Sequence, residues 1–269
     1  MSELTYEEKY LPKIEVIGNE FEIPLLGKKR RISVLLPHNY DETDFRYPVL
    51  YLQDGQNTHD DYGPFGNWAV NKRMAKLFPE GFGNIIIVAI DHAEEYRIKE
   101  FTPYDHPKFG EGEGDDYVKF VTKKLKPEID ERYRTLPDRE NTAIGGSSLG
   151  GLISLYAGLT RPMIYSKMLI FSPALWIAPP IYKLAKTFQP EQETRVYLYT
   201  GGNESEFLVP NMKRMKHDLK GEHGGKKNLD VRLSIREGGT HSEHFWGEEF
   251  PAALKWLFFK AKYEREVMS

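Results

Sequence analysis

A serine flanked by glycines, between a short apolar run and a helical pattern, constrains this chain more than any other feature. Residues 144–151 read Ile-Gly-Gly-Ser-Ser-Leu-Gly-Gly, after the apolar run 142–144 and before the small and apolar residues 152–157. In a strand-to-helix turn, the pattern G-x-S-x-G forms a nucleophile elbow, which exposes the serine hydroxyl beside the N-terminus of the helix. The pattern therefore predicts an α/β fold with a reactive serine at the end of a central strand.

Spacing distinguishes the two adjacent serines of this motif. Centred on Ser148, the pattern finds Gly146 and Gly150 at its two glycine positions. Centred on Ser147, it would need a glycine where Leu149 stands. Ser148 is therefore the predicted nucleophile. The alternative is that the glycines only allow a tight packing turn between strand and helix.

The remaining chain alternates short apolar runs with helical periods, which is typical of a mostly parallel sheet with helices on both faces. Strands are expected at 14–16 with 21–23, 31–36, 49–53, 85–90, 142–145, 167–171, 195–200 and 231–236. Helices are expected at 68–77, 116–132, 149–159, 180–188, 206–220 and 243–262. The segments 14–16 and 21–23 are expected to pair as an antiparallel edge. Without repeats or linker-like composition, residues 1–269 are expected to form a single domain with no separate lid domain.

Composition argues against several kinds of function. The 269 residues include no cysteine, which excludes a thiol nucleophile, disulfides and thiolate metal sites. The net charge is −3 with both signs interspersed, so neither nucleic acid nor a membrane surface is an expected partner. No run is long enough to span a membrane and the N-terminus is polar, so a cytoplasmic location is expected unless a signal peptide has been removed. A homodimer is compatible with the sequence.

A serine nucleophile needs a base, which in α/β hydrolases follows the serine and an acidic residue along the chain. Four histidines follow Ser148, namely His217, His223, His241 and His244. The first two lie in polar stretches that are expected to face solvent. His241 comes directly after the last predicted strand and is the favoured base, and His244, in the first turn of the last helix, is the alternative.

The carboxylate that orients the base is expected in the loop after the strand at 195–200, where residues 201–206 read Gly-Gly-Asn-Glu-Ser-Glu. Glu204 comes first and is favoured. Glu206 is expected to open the next helix, where a carboxylate often interacts only with the helix dipole. Asp230 begins a strand at the opposite edge of the sheet and is expected to be out of reach.

Acyl transfer also needs two backbone N–H donors for the oxyanion that forms on the substrate. The residue after the nucleophile, Leu149, is expected to supply one. The other is expected from Gln56, in the loop after the strand at 49–53, where Gly55 is expected to allow the turn that points the Gln56 amide inward.

These and further stretches resemble the putative esterase family of α/β hydrolases, which includes esterase D (S-formylglutathione hydrolase), feruloyl and acetyl xylan esterases, and enterochelin esterases. The resemblance covers about residues 32–259, and the matching stretches are 50–57, 97–103, 125–130, the elbow, 171–176, and 239–241 with Trp246. It implies an α/β-hydrolase fold and a Ser–acid–His esterase with Ser148, Glu204 and His241 in those roles. It also implies an oxyanion hole at Gln56 and Leu149, with no cofactor and no metal. Many relatives carry aspartate where Glu204 stands, and glutamate reaches one methylene further.

The leading interpretation is a serine carboxylic ester hydrolase that acts through an acyl-serine intermediate. Its substrate would be a small-molecule or carbohydrate ester, such as an acylated carbohydrate, a phenolic ester or a siderophore-type ester. One alternative is an acyltransferase that uses the same three residues and passes the acyl group to a sugar or alcohol. The other is a non-catalytic binding protein with a hydrolase-like fold.

Substrate-binding residues are less readable from the sequence. Asn57, Trp68, Trp176 and the aromatic loop 104–109 are candidates, and the alternative for the aromatic residues is ordinary packing. Arg97 is expected to pair with Glu100 or another nearby carboxylate and to have no catalytic role. Residues 59–61 read His-Asp-Asp, which resembles a metal cluster only superficially, and a surface loop is expected there.

Overall fold

The computed structural model describes residues 8–59, 66–221 and 225–268. Within these ranges eight strands form one sheet in the order β1-β2-β4-β3-β5-β6-β7-β8. The strands are β1 Lys13–Ile23, β2 Lys28–Leu36, β3 Val49–Gln53, β4 Ile86–Ile90, β5 Thr142–Ser147, β6 Lys167–Phe171, β7 Thr194–Gly201 and β8 Leu229–Arg236. The β1–β2 and β2–β4 pairs are antiparallel and the other pairs are parallel. The predicted mostly parallel sheet with an antiparallel N-terminal edge is confirmed.

Helices cover both faces of this sheet, as the sequence predicted. They are α1 Val70–Leu77, α2 Arg97–Glu100, α3 Gly114–Phe120, α4 Lys126–Arg132, α5 Ser148–Thr160, α6 Ile181–Thr187, α7 Leu208–Lys220 and α8 Glu243–Met268. The helix predicted at 116–132 consists of α3 and α4, which a π-helical segment, Val121–Leu125, joins. The short helix α2 was not predicted, because its four residues are too few to show a helical period.

Two apolar layers enclose the central strands. Along β3, Val49 and Tyr51 pack in the layer that contains α3 and α4, while Leu50 and Leu52 pack in the layer that contains α1 and α8. Successive side chains of a strand point to opposite faces, so a strand covered on both faces needs an uninterrupted apolar run. This requirement explains why the runs at 49–53 and 167–171 predicted β3 and β6 without error at either end.

The prediction that 14–16 and 21–23 pair with each other is wrong. Both segments belong to β1, which pairs along its length with β2, and the register shifts between Val16 and Gly18 and again between Gly18 and Phe21. These irregularities interrupt the apolar alternation, although the strand continues. The interrupted pattern therefore resembled two short strands.

The parallel strands all end at one edge of the sheet, where the loops after β3, β5, β6, β7 and β8 meet. Ligands in open α/β sheets bind outside the carboxyl ends of the strands. Within the described residues, no helix is long and apolar enough to cross a membrane. That residues 1–269 form a single domain stays a prediction.

Candidate active site

Strand β5 passes into helix α5 without a loop, and Ser148 lies at the junction. Ser147 is extended and buried, whereas Ser148 has a φ of 55°, in the left-handed region that residues other than glycine rarely adopt. A Cβ on Gly146 would lie 2.7 Å from the carbonyl carbon of Gly150. The turn therefore needs glycine where the motif has it, and the serine that sequence spacing favoured carries the strained backbone.

An imidazole and a carboxylate meet at the same edge of the sheet. His241 lies between β8 and α8, and its Nδ1 is 2.6 Å from Oε2 of Glu204, in the loop after β7. The Glu204 side chain is only 1% exposed. This hydrogen bond fixes the orientation of the ring and leaves Nε2 for a second partner.

The other carboxylate oxygen of Glu204 is held by two donors. The Ser172 hydroxyl donates to Oε1 at 2.6 Å, and the Gly201 amide donates to the same oxygen at 2.5 Å. Trp246 Nε1 in turn donates to the Ser172 hydroxyl oxygen at 3.0 Å, and the indole packs edge-on against the His241 ring. A buried carboxylate is tolerated where its oxygens accept hydrogen bonds, and these contacts meet that condition.

The alternative acids and bases lie elsewhere. His244 is 68% exposed and lies 3.4 Å from Glu248, and His217 is exposed on α7. His223 lies outside the described residues. Glu206 is exposed ahead of α7, which begins two residues later than the prediction that Glu206 opens it. Asp230 pairs with Lys260 near the start of β8, at the opposite end of the strands.

The loop after β3 differs from the prediction in one detail. Asp54, rather than Gly55, takes the left-handed conformation, with a φ of 59°. Gly55 is needed for another reason, since a Cβ there would lie 2.6 Å from Oδ1 of Asp91 and 2.8 Å from the carbonyl carbon of Ile90. Gln56 follows in a 3-10 turn, and its side-chain Oε1 accepts a hydrogen bond from the His92 amide at 3.0 Å.

Arg97, on α2, binds Asp54 in this loop. Its Nε and Nη2 donate to the two carboxylate oxygens of Asp54 at 2.6 and 2.8 Å. Such a two-pronged contact is geometrically specific and stronger than a neutral hydrogen bond. Arg97 was expected to pair with Glu100 or another nearby carboxylate, and its partner is Asp54. Glu100 pairs instead with Arg30 and Lys28.

Ser148 and His241 line the same cavity, whose volume is about 560 Å³. The rest of its lining consists mostly of residues with polar side chains and includes Asn57, His92, Glu94, Arg97, Glu243 and Trp246. The elbow serine and the carboxylate-bound imidazole thus border one cavity. Such a cavity suits a polar substrate that reacts with a serine.

Comparison with known proteins assigns this chain to a family. Residues 23–257 match the family model described as Putative esterase. The chain belongs to this family. It is therefore a carboxylic ester hydrolase, as the resemblance had implied.

Several known proteins are similar to this chain in sequence or in fold. The esterase is 24% identical to the uncharacterized protein YbbA of Bacillus subtilis, over 86% of this chain and 93% of YbbA. It is 32% identical to the ferri-bacillibactin esterase BesA of the same organism, over 53% of each chain, so it spans about half the length of BesA. Among solved structures, the BES protein from Bacillus cereus has a similar fold, with a TM-score of 0.76 and 22% identity over 91% of this chain and 94% of that one.

The two tryptophans predicted to bind substrate do not line the cavity of the esterase. Trp68 is 3% exposed and lies in the core, stacked on Phe171 and packed against Trp246 and Phe250, so the prediction for it is wrong. Trp176 is 63% exposed on the surface, with its ring edge-on to Phe109 of the aromatic loop. Of the three candidates, only Asn57 lines the cavity.

Ionisable groups in the cavity of the esterase have shifted pKa values. Burial lowers the pKa of His92, whose Nδ1 accepts a hydrogen bond from the Glu94 amide. Both effects favour the neutral imidazole. Burial raises the pKa of Glu243, and the nearby Asp54 carboxylate raises it further. Neither residue was singled out from the sequence.

The sequence analysis did not identify Ser172 as a partner of Glu204. The available signal was its position, because Ser172 is a polar residue directly after the apolar strand β6, at the edge where the other site loops meet. For metals, no cluster of three or more potential ligands occurs in the part of the chain that the structure describes. His59 is buried beside Thr58 rather than in an exposed loop, and residues 60 and 61 lie outside the described ranges.

Proposed function

We propose that the esterase hydrolyses its substrate through an acyl-serine intermediate on Ser148, with His241 as the base and Glu204 as the residue that orients it. The observation that supports this most is the 2.6 Å hydrogen bond between His241 Nδ1 and Glu204, at the cavity that Ser148 also lines. In such a triad the carboxylate holds the imidazole in the tautomer whose Nε2 accepts the serine proton.

The reaction then follows from the roles of these groups. The Ser148 hydroxyl oxygen attacks the ester carbonyl carbon while His241 accepts its proton. The backbone amides of Gln56 and Leu149 donate to the oxyanion. The bond to the alcohol breaks as the imidazolium returns the proton to the leaving oxygen, and a water molecule deprotonated by His241 then hydrolyses the acyl-serine. The Glu204 carboxylate stabilises the imidazolium.

The substrate we propose is a small-molecule or carbohydrate ester of the acylated-carbohydrate, phenolic or siderophore type. Two observations support this range. The cavity wall carries hydrogen-bonding side chains next to Ser148, and BesA, with which the esterase shares 32% identity over about half of each chain, is named for a ferri-bacillibactin substrate.

Labelling with a fluorophosphonate probe tests the nucleophile. We expect the probe to label wild type and S147A, and not to label S148A. We also expect S148A to lose activity on 4-nitrophenyl acetate by roughly a thousandfold or more, because residues of a triad act as a unit. Labelling of S148A at the wild-type rate would refute the assignment. Product analysis with an added alcohol acceptor separates hydrolysis from acyl transfer.

A further inference from the structure

The Glu243 carboxylate is not used by the proposed chemistry, although it lines the catalytic cavity. The residue is 7% exposed, and its Oε1 accepts a hydrogen bond from Asn57 Nδ2 at 3.3 Å. Within the described residues, no cation forms an ion pair with this carboxylate. Its position in the first turn of α8 favours a negative charge. A buried carboxylate without an ion pair is still costly, so its presence beside the nucleophile is consistent with a functional role.

Arg97 interacts electrostatically with Glu243 and compensates its charge only in part. Arg97 is the cation of the cavity wall, and its guanidinium is already engaged by Asp54. The cavity wall carries one formal positive charge, on Arg97, and two formal negative charges, on Glu94 and Glu243. Asp54, which binds Arg97, adds a third negative charge. These formal charges favour cations and hydrogen-bond donors over anions beside Glu243.

Position along the chain assigns Glu243 to one side of the substrate. It lies two residues after His241, and the two side chains interact electrostatically. The base must reach the leaving oxygen, because it returns the proton there. The alcohol part of the ester consequently lies near His241, and Glu243 is within electrostatic range of the same ring.

We propose that Glu243 is a specificity residue, which accepts a hydrogen bond from an ammonium or hydroxyl group on the alcohol part of the ester and disfavours alcohols that carry a carboxylate. This inference rests on the proposed function, since it places the alcohol by the role of His241. The preferred substrates thus share a hydrogen-bond donor on the alcohol part, which a carboxylate can accept.

A series of phenyl acetates tests the proposal. Each carries a para substituent attached through a methylene group, which limits electronic effects on the leaving oxygen: ammoniomethyl, hydroxymethyl or carboxymethyl. We expect kcat/KM at pH 8, normalised to hydrolysis by hydroxide, to fall in that order. The ammonium-to-carboxylate ratio should be roughly tenfold or more, the size expected of one partly screened charge interaction.

Three variants assign the preference to this carboxylate. E243Q keeps the shape and removes the charge, and we expect its ratio to approach one. E243D keeps the charge and should retain the order of substrates. The matched control is E248Q, since Glu248 lies on the same helix, pairs with Arg236 and does not line the cavity, so the wild-type ratio should persist.

The outcomes separate this inference from the proposed function. Fluorophosphonate labelling of Ser148 in E243Q, with an ammonium-to-carboxylate ratio equal to that of wild type, would overturn the role of Glu243 and leave the nucleophile standing. A preference that appears only when the charged groups are moved to the acyl part would overturn the assignment to the alcohol side. Absence of both labelling and hydrolysis in wild type would overturn the inference together with the proposed function.

Discussion

At the scale of single residues, contacts on both carboxylate oxygens position Glu204, whose side chain is one methylene longer than the aspartate of many relatives. Glu204 reaches His241 with one carboxylate oxygen, while Ser172 and the Gly201 amide hold the other. Ser172 itself has a φ of 43° and is fully buried. Residues held in such conformations are maintained by their surroundings and occur often at functional sites. We therefore interpret Ser172 as a positioning residue for Glu204.

We expect S172A to lower kcat on 4-nitrophenyl acetate by roughly tenfold to a hundredfold while KM changes less. The change removes a hydrogen bond to a charged group, an interaction of about 1.5–3 kcal/mol, and frees the carboxylate to turn away from His241. A purely structural role would leave kcat intact in the folded fraction. S154A is the matched control, because Ser154 is equally buried and its hydroxyl has no hydrogen-bond partner among the described residues.

At the scale of elements, the site depends on how closely helix α5 approaches the loop after β3. A Cβ on Gly150, in the first turn of α5, would lie 2.6 Å from Oδ2 of Asp54 and 3.0 Å from Cβ of Gln53. Arg97 holds the same Asp54 carboxylate from the other side. The nucleophile helix, the loop that carries Gln56 and helix α2 are thus packed against one carboxylate.

This packing predicts that G150A is harmful, although alanine is the better helix former by about 1 kcal/mol. The methyl group would displace Asp54, which Arg97 prevents from moving freely, so we expect a net loss of about 1–3 kcal/mol in the free energy of unfolding and a lower kcat/KM. Urea denaturation and 4-nitrophenyl acetate hydrolysis measure the two effects. G238A is the control, because among the described residues other than its chain neighbours no atom lies within 4 Å of a Cβ at that glycine. Stability equal to wild type in G150A would contradict the prediction.

The elements themselves were largely predictable, and the failures have a common cause. Buried strands such as β3 and β6 are short apolar runs between polar turns, which identifies them locally. The irregular strand β1 and the four-residue helix α2 show no sustained period that a sequence pattern could reveal. The left-handed conformation of Asp54, whose carboxylate Arg97 binds, has no local sequence signal either.

At the scale of the whole molecule, the two ends of the parallel strands have different environments. The proposed site occupies the carboxyl end, and the other end holds Lys167, at the start of β6, with its amine donating to the Ser166 hydroxyl and the Glu140 carbonyl. Burial, reinforced by the charge of Arg195, lowers the pKa of Lys167 from 10.5 to about 8. Because the unfolded chain binds this proton more tightly, the free energy of unfolding depends on pH in a defined direction.

We expect the stability of the wild type to rise relative to K167M as pH increases from about 8 to 10.5. In that window the folded protein has released the Lys167 proton while the unfolded chain retains it, so deprotonation relieves the cost of a buried charge. Urea denaturation across this pH range measures the difference. K183M replaces an exposed lysine, and we expect its free energy of unfolding to change with pH as that of the wild type does. The same pH dependence in wild type and K167M would contradict the prediction.

The sequence by itself determined the parts of this protein that are encoded locally. Glycine spacing singled out Ser148, apolar runs marked the central strands, and position after a strand singled out His241 and Glu204 as candidates. Tertiary structure alone decided which distant groups meet: Ser172 with Glu204, Asp54 with Arg97, Trp68 in the core, and Glu243 in the cavity. The physical reason is that backbone conformation and burial periodicity repeat along the chain, whereas hydrogen bonds and charge balance at a site depend on which loops the sheet order brings together.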